Sequence, residues 1–473
     1  HPVYKQVKLP DSDGISIAVD NGTQVKAVFD GVVKNVIVQA GYNKCVLVQH
    51  GDWVSFYCKL GQVSVKAGDK IKTGQVIAEP GGFISAFVHS PATGTVKSIA
   101  PRKDLAGNNV MHIEITVSEE EIWADGIDLS DTLVTEIPDD KAATLDKIKA
   151  CGVVGLGGAT FPTHVKLNPP KEKKAEVLIL NGTECEPFIT SDDRLMRERP
   201  SGILTGAAII MKALGVDVCY VGIEENKPDA IASMTAAAKG CSGIVIVKLA
   251  KKYPQGGEKQ LIDAITGRQV PSGALPIDVG AVVQNVATAY AVYEAVCKNK
   301  PLISNIVTIS GHSLASQHNY EVRIGTPISS ILEYAGVKLG DNVKVLSGGP
   351  MMGRCVSNPD ATTVKANGAF TILTENETKR GVESACIRCA KCAAACPMGL
   401  EPFLLYRLTK VGDLEQLEAN AVQDCISCGC CQFSCPAHIS LLDNINIAKG
   451  QVLGIIKARA AAAKAAAEAQ KAK

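Results

Sequence analysis

The feature that most constrains this chain is a cysteine run written twice. Cys386 to Pro397 reads CIRCAKCAAACP, and Cys425 to Pro436 reads CISCGCCQFSCP. Both are C-x2-C-x2-C-x3-C-P. Three thiolates two residues apart can wrap one corner of a cubane, and the fourth, followed by a turn-forming Pro, points away from it. Where two such runs occur together, the fourth cysteine of each ligates the other cluster. On that pattern Cys386, Cys389, Cys392 and Cys435 hold one [4Fe–4S] cluster; Cys425, Cys428, Cys431 and Cys396 hold the other. Structural zinc is the competing chemistry. Zinc sites pair two short cysteine knuckles, or mix Cys with His, around one tetrahedral ion, which a repeated four-cysteine run fits poorly. Cys430, beside Cys431, reads as a bystander.

The chain has 17 cysteines, nine of them between 386 and 435. The other eight (45, 58, 151, 185, 219, 241, 297 and 355) are scattered singly, as free thiols acting as small core residues would be. Clustering of this kind argues for metal in a reducing compartment rather than a disulfide scaffold. With 473 residues, 46% hydrophobic and 21% charged, there is material for several globular domains. A net charge of +1 gives no argument for nucleic acid. No apolar run reaches the roughly 18–20 residues that span a bilayer, and no secretory leader is read after His1.

Texture divides the chain. Residues 1–118 read as short strands with Gly at the corners, a small barrel-sandwich hybrid. Residues 140–300 alternate helix and strand, an α/β domain. Residues 303–360 form a smaller mixed unit like a ubiquitin-type β-grasp module. Residues 375–450 carry the cysteine runs between helical segments, and 451–473 form an alanine-rich tail, helical or disordered.

Two clusters are a wire, and a two-electron donor needs a splitter, usually a flavin. The candidate is GVVGLGGATFPTHVKL, Gly152 to Leu167. Gly155, Gly157 and Gly158 let backbone approach a phosphate closely, and Lys166 supplies positive charge. Taken alone, a bland glycine turn is about as good a reading. The loop resembles the flavin loop of the NADH-oxidising flavoprotein subunit of respiratory complex I. The resemblance continues through LNGTECEP, YPQGGE and VQNVAT in the same order. It implies that Gly155, Gly157, Lys166, Asn181, Glu184, Asn285 and Thr288 contact FMN. It also implies that Phe161, Glu186 and Glu258 line the NADH side. Leu156, Thr183 and Cys185 depart from that family, which has Arg, Asp and Gly there.

A larger set of motifs is similar to the C-subunit family of the Rnf ion-translocating ferredoxin:NAD oxidoreductases. These are GLGGATFPTHVK, SGGPMMG (347–353), both cysteine runs with their flanks, and GDKIKTGQVIAEPGGFISAFVHSPATGTVKSI (68–99). The resemblance implies FMN, two [4Fe–4S] clusters, and NAD(H) as substrate. It implies integral-membrane and ferredoxin-like partner subunits, an indirect relation to ferredoxin, and a peripheral place on the cytoplasmic face of the inner membrane. The chain would exchange hydride at the flavin and relay single electrons through the clusters. Two other readings stand beside it: a cobalamin reductase-like flavin/iron–sulfur protein, and a scaffold whose flavin site is inactive. Residues 14–63 instead resemble the sheet core of lysostaphin-type zinc peptidases. Ser16 and Lys59 stand where that family has metal ligands, so a structural sandwich without peptidase chemistry is expected.

Overall fold

The computed structural model describes residues 64–337, 343–379 and 381–471, together with the backbone of three strands nearer the N terminus. The chain divides into two compact units, His1–Gly61 and Gln62–Lys473. In the first, β1 (Val32–Gln39), β2 (Asn43–His50) and β3 (Trp53–Cys58) form an antiparallel meander. Ser16 and Lys59 lie outside the described residues.

The second unit begins with five short strands: β4 (Lys70–Ile71), β5 (Val76–Ala78), β6 (Val88–His89), β7 (Gly94–Lys103) and β8 (Asn109–Val117). They make two small sheets, β4-β7-β8 and β5-β6. Ile71, Ile77 and Val96 form their core.

The α/β layer follows. Helix α1 (Lys141–Ala150) and the single turn α2 (Thr163–Lys166) bracket the glycine loop. Four parallel strands, β9 (Val177–Asn181), β10 (Cys219–Glu224), β11 (Ile244–Leu249) and β12 (Ala281–Asn285), lie in the order β11-β10-β9-β12. β9 is a continuous apolar run because both of its faces are covered. Helices α3 (Ser191–Glu198), α4 (Pro200–Leu214) and α5 (Pro228–Ala237) share the larger core on one face. α6 (Glu258–Thr266) covers the other through Leu261 and Ile262. α7 (Val286–Lys298) rejoins the first face. It crosses α4 at Gly206, where a Cβ would stand 1.8 Å from Ala289 O, so only glycine permits the approach. Strand order reverses between β9 and β12. Loops leaving two such strands diverge and open a crevice at their carboxyl ends, the usual ligand position in an open α/β sheet.

A mixed sheet comes next: β13 (Ser304–Ser310), β14 (His318–Arg323), helix α8 (Ile328–Tyr334), β15 (Val343–Ser347), β16 (Arg354–Cys355) and β17 (Ala369–Thr374). Its order is β14-β13-β17-β15-β16. α8 lays Ile328, Ile331 and Leu332 on Val307, Phe370 and Ile372. The central strand β17 lies beyond residue 360, separated from β16 by an irregular stretch.

After the turn α9 (Glu375–Thr378) the chain is helical: α10 (Lys391–Ala394), α11 (Pro402–Val411), α12 (Leu414–Ala419), α13 (Cys430–Phe433) and α14 (Leu441–Lys471). Leu405, Leu417, Ile445 and Val452 form the core of this bundle. α14 carries the alanine-rich tail as continuous helix. The expected architecture holds: a multidomain α/β protein with a strand-rich N-terminal part, a parallel α/β layer, a β-grasp-like unit and a helical cysteine domain. Among the described residues, no helix is long and apolar enough to cross a membrane.

Candidate functional site

Asn181 and Asn285 end the two strands that flank the crevice, and they face each other in register. The glycine loop closes over this point although it follows a helix, not a strand. Gly155 N donates to Phe161 O (2.9 Å) and Thr160 N to Gly155 O (3.1 Å), which closes the loop on itself. Leu156 N donates to Thr288 Oγ1 at the start of α7 (2.9 Å). Gly157 lies against the Asn285 side chain. Gly158 is exposed with φ +99°, and Phe161 is exposed at the loop's rim. The sequence therefore puts three glycines, two strand-end asparagines and the N terminus of α7 around one crevice. Glycine backbone and the start of α7, capped by Asn285 Oδ1 on Ala287 N (2.7 Å), are the elements that favour a phosphate at such a point. Thr163 Oγ1 and Gln284 Nε2, in the same two segments, are buried without a protein partner, as groups awaiting a polar ligand are.

Thr183 is fully buried, and its hydroxyl and amide both donate to Asn181 Oδ1 (2.6 and 3.2 Å). The departure at this position thus fixes Asn181 in place, while Asn181 Nδ2 donates to Gly256 O (2.9 Å). Lys166 pairs with Glu258 at 2.7 Å, joining a residue expected on the flavin side to one expected on the NADH side.

Glu184 is committed elsewhere. Its carboxylate accepts Asp192 N (2.7 Å) and Asp193 N (3.1 Å) at the start of α3, and pairs with buried Lys227 (3.3 Å). Burial pushes it up against the pull of Lys227 and the two amides. Asp192 in turn accepts Asn285 Nδ2 (2.6 Å). Burial first, and then the Glu184 charge, pushes Asp192 up to about 7. Asp192 and Lys227 carried no signal in the sequence; only their partners did.

The two cysteine runs have the same backbone. Arg388 and Ala390 in the first, Ser427 and Gly429 in the second, hold corresponding places with positive φ. Gly399 and His438, two residues after each Pro, repeat the match. Non-glycine residues rarely adopt this conformation, and it clusters at ligand clamps and turns amides inward toward an anion. Ser427 N points at Cys425 Sγ (3.4 Å). Cys396, Cys425, Cys428 and Cys431 line one largely apolar pocket, with Leu405, Leu442 and Ile445. That is the set expected from crossed ligation. Burial, then Cys425 and Cys428, pushes the Cys431 thiol up to about 12, so it resists ionising alone and a bound cationic group would relieve it. Of the other set, Cys392 is buried and feels Cys435, whereas Cys386 and Cys389 are exposed. Among the described residues, no three His, Cys, Asp or Glu are gathered tightly enough for a single ion. A cubane takes one thiolate at each of four irons, so its ligands stand further apart. His438 packs its ring on Gly381.

The crevice and the cysteine pocket meet. Tyr253 OH, in the loop before α6, donates to Cys428 O (2.7 Å), and Gln260 Nε2 lies 2.9 Å from Met398 Sδ. Glu186 touches Tyr253 and accepts amides from the β-grasp-like unit. Cys185 Sγ accepts Gly256 N (3.2 Å), and burial pushes its thiol up to about 11.

A switch-point crevice under a glycine loop, joined by hydrogen bonds to a cysteine-lined pocket, defines an electron-input module of the flavin/iron–sulfur class. Comparison with known proteins gives the family. Residues 148–294 match the Nuo51 FMN-binding domain, 56–120 the RnfC barrel sandwich hybrid domain, 306–354 the SLBB domain and 10–86 peptidase family M23. The C subunit of the proton-translocating ferredoxin:NAD(+) oxidoreductase complex of Clostridium ljungdahlii is 44% identical over 72% of this chain and 74% of its own length. The C subunit of the Na(+)-translocating ferredoxin:NAD(+) oxidoreductase complex of Acetobacterium woodii is 39% identical over 82% and 87%. The C subunit of the ion-translocating oxidoreductase complex of Rhodobacter capsulatus is 39% identical over 82% and 75%. The chain belongs to this RnfC family.

Proposed function

We propose that this chain is the NAD(H)-facing electron-transfer subunit of an ion-translocating ferredoxin:NAD oxidoreductase. FMN would sit in the crevice, held by the Gly155–Gly158 loop, Asn181, Asn285 and Thr288. Two [4Fe–4S] clusters would be held by the crossed sets, Cys396 with Cys425, Cys428 and Cys431, and Cys435 with Cys386, Cys389 and Cys392. FMN, when bound, supplies the step from hydride to single electrons. The chain's own residues do the rest. The glycine loop and α7 bind the phosphate. Lys166 and Glu258 fix the rim of the crevice. Phe161 offers an exposed ring for stacking, and Glu186 offers a carboxylate for ribose hydroxyls.

The single observation that carries the reading is the Tyr253–Cys428 hydrogen bond. It ties a crevice loop to a cysteine pocket, so the site for hydride and a site for single electrons share one wall. The same contact supports the Cys396/425/428/431 set as the one that would lie next to the flavin. The exposed Cys386–Cys389 side then faces the partner subunits, integral-membrane and ferredoxin-like. The chain's place would be peripheral, on the cytoplasmic face, where NAD(H) is found. Anaerobic titration of reconstituted protein with NADH tests this. The reading requires FMN absorbance and cluster absorbance to bleach together, with two interacting clusters by EPR. A single mononuclear metal, or a flavin indifferent to NADH, sinks it.

A further inference from the structure

The loop SGGPMMG, Ser347 to Gly353, joins β15 to β16 and has no part in the proposed function. Its conformation is nevertheless tightly held. Gly348 N donates to Ala369 O (2.8 Å), Gly353 N to Gly349 O (2.9 Å), and Thr371 Oγ1 to Gly348 O (2.8 Å). From this base, fixed on β17, two consecutive amides converge on one oxygen. Met351 N and Met352 N both donate to Glu186 Oε1, at 2.7 and 3.0 Å. Successive amides of this kind form a small anion-binding nest. Here the anion is a side chain from the neighbouring α/β layer.

The fit leaves no slack. A Cβ on Gly349 would stand 2.3 Å from Glu186 Cγ and 2.7 Å from Pro187 O. On the loop's far side, Met351 O lies 2.9 Å from the place of a Cβ on Gly429, the residue after Cys428. One loop of the β-grasp-like unit therefore touches both a carboxylate on the NADH side and the backbone of a cysteine pocket.

We propose that SGGPMMG is a positioning element for the nicotinamide nucleotide. Its amides fix the plane of the Glu186 carboxylate, so that the ribose hydroxyls meet an oriented acceptor. Its Met351 carbonyl joins occupancy of that acceptor to the seat of Cys428. This rests on the proposed function, in which Glu186 faces NAD(H).

The test uses the full chain loaded with flavin and clusters. Gly349→Ala forces Glu186 from its place. The expected result is a rise in KM for NADH on the order of tenfold, the worth of one charge-assisted hydrogen bond. FMN content and kcat stay near wild type. In the wild-type protein, NAD+ slows hydrogen exchange at the Met351 and Met352 amides, a readout that needs no variant. Unchanged KM in the variant, or exchange at these amides indifferent to NAD+, overturns the proposal. Wild-type flavin that NADH cannot reduce overturns the underlying reading instead.

Discussion

Asp192 lies beneath the glycine loop with its carboxyl on Asn285, and its nearest charged neighbours are another carboxylate, Glu184, and one lysine, Lys227. Two buried acids sharing one cation cannot both ionise cheaply. Burial and then the Glu184 charge push Asp192 up to about 7 from an ordinary 3.8, while Glu184 keeps Lys227 and two amides as partners. The sign follows from linkage. Between about pH 4 and 7 the folded state holds a proton that the unfolded state has lost. The stability this group contributes is therefore complete below that window and is lost as pH rises through 7. Asp192→Asn keeps an oxygen to accept from Asn285 and does not titrate. The melting-temperature gap between wild type and variant should shift steadily against wild type from pH 4 to 7 and level off above. A gap independent of pH would mean that Asp192 is ionised throughout. Nothing in the sequence hinted at this residue. Asp192 stands in an ordinary acidic helix start, SDDR, and acquires its role only when α3 is packed under β12.

Elements repeat this lesson in both directions. The cysteine runs were legible because ligand spacing is local: three residues per step fix where each thiolate can go. The left-handed residues at Arg388, Ala390, Ser427 and Gly429 are the structural form of that spacing. The alternation of helix and strand over 140–300 was legible from its apolar runs, of which the strand Cys219–Glu224 and the helix Pro200–Leu214, closed by Gly215, are examples. Less legible was β17, the centre of its sheet, because an irregular stretch from 356 to 368 hides its kinship with β13 and β15. Strand order was not legible at all. Only the folded sheet shows that Asn181 and Asn285, a hundred residues apart, flank the reversal. Crossed ligation is tested at this same scale. Cys396 lines the pocket of the second run, not the first. Cys396→Ala and Cys431→Ala should therefore leave the same residual EPR spectrum with roughly half the iron, because each spares the other four-cysteine cluster. If Cys396→Ala instead resembles Cys389→Ala, ligation is uncrossed.

At the scale of the molecule, function depends on side chains that belong to one layer and bond to another. Lys365 is such a group. It is half-buried, lies between β16 and β17, and donates to Phe87 O (2.9 Å) in the strand-rich part and to Gly152 O (2.6 Å) at the entry to the glycine loop. Burial lowers it to about 8. Its hydrogen bonds, not an ion pair, hold three layers in register around the crevice. Tyr253 does the corresponding work between crevice and cysteine pocket. Its hydroxyl donates to Cys428 O, and burial with the surrounding Glu186, Cys428 and Cys185 keeps the phenol protonated far above its ordinary range. Tyr253→Phe removes one hydrogen bond and almost no volume. Loss of a neutral hydrogen bond costs roughly 1 kcal/mol, enough to loosen the contact without unfolding either side. Glu186 loses its contact with the Tyr253 hydroxyl but keeps its two amide donors, Met351 N and Met352 N, so the carboxylate on the NADH side stays in place for hydride uptake. Electron exit depends on the distance across the loosened wall. Stopped-flow mixing with NADH should therefore show flavin bleaching at the wild-type rate and cluster bleaching slowed several-fold. Equal slowing of both phases would mean that Tyr253 acts on the nucleotide itself. Two phases like those of wild type would mean that the electrons leave by another wall.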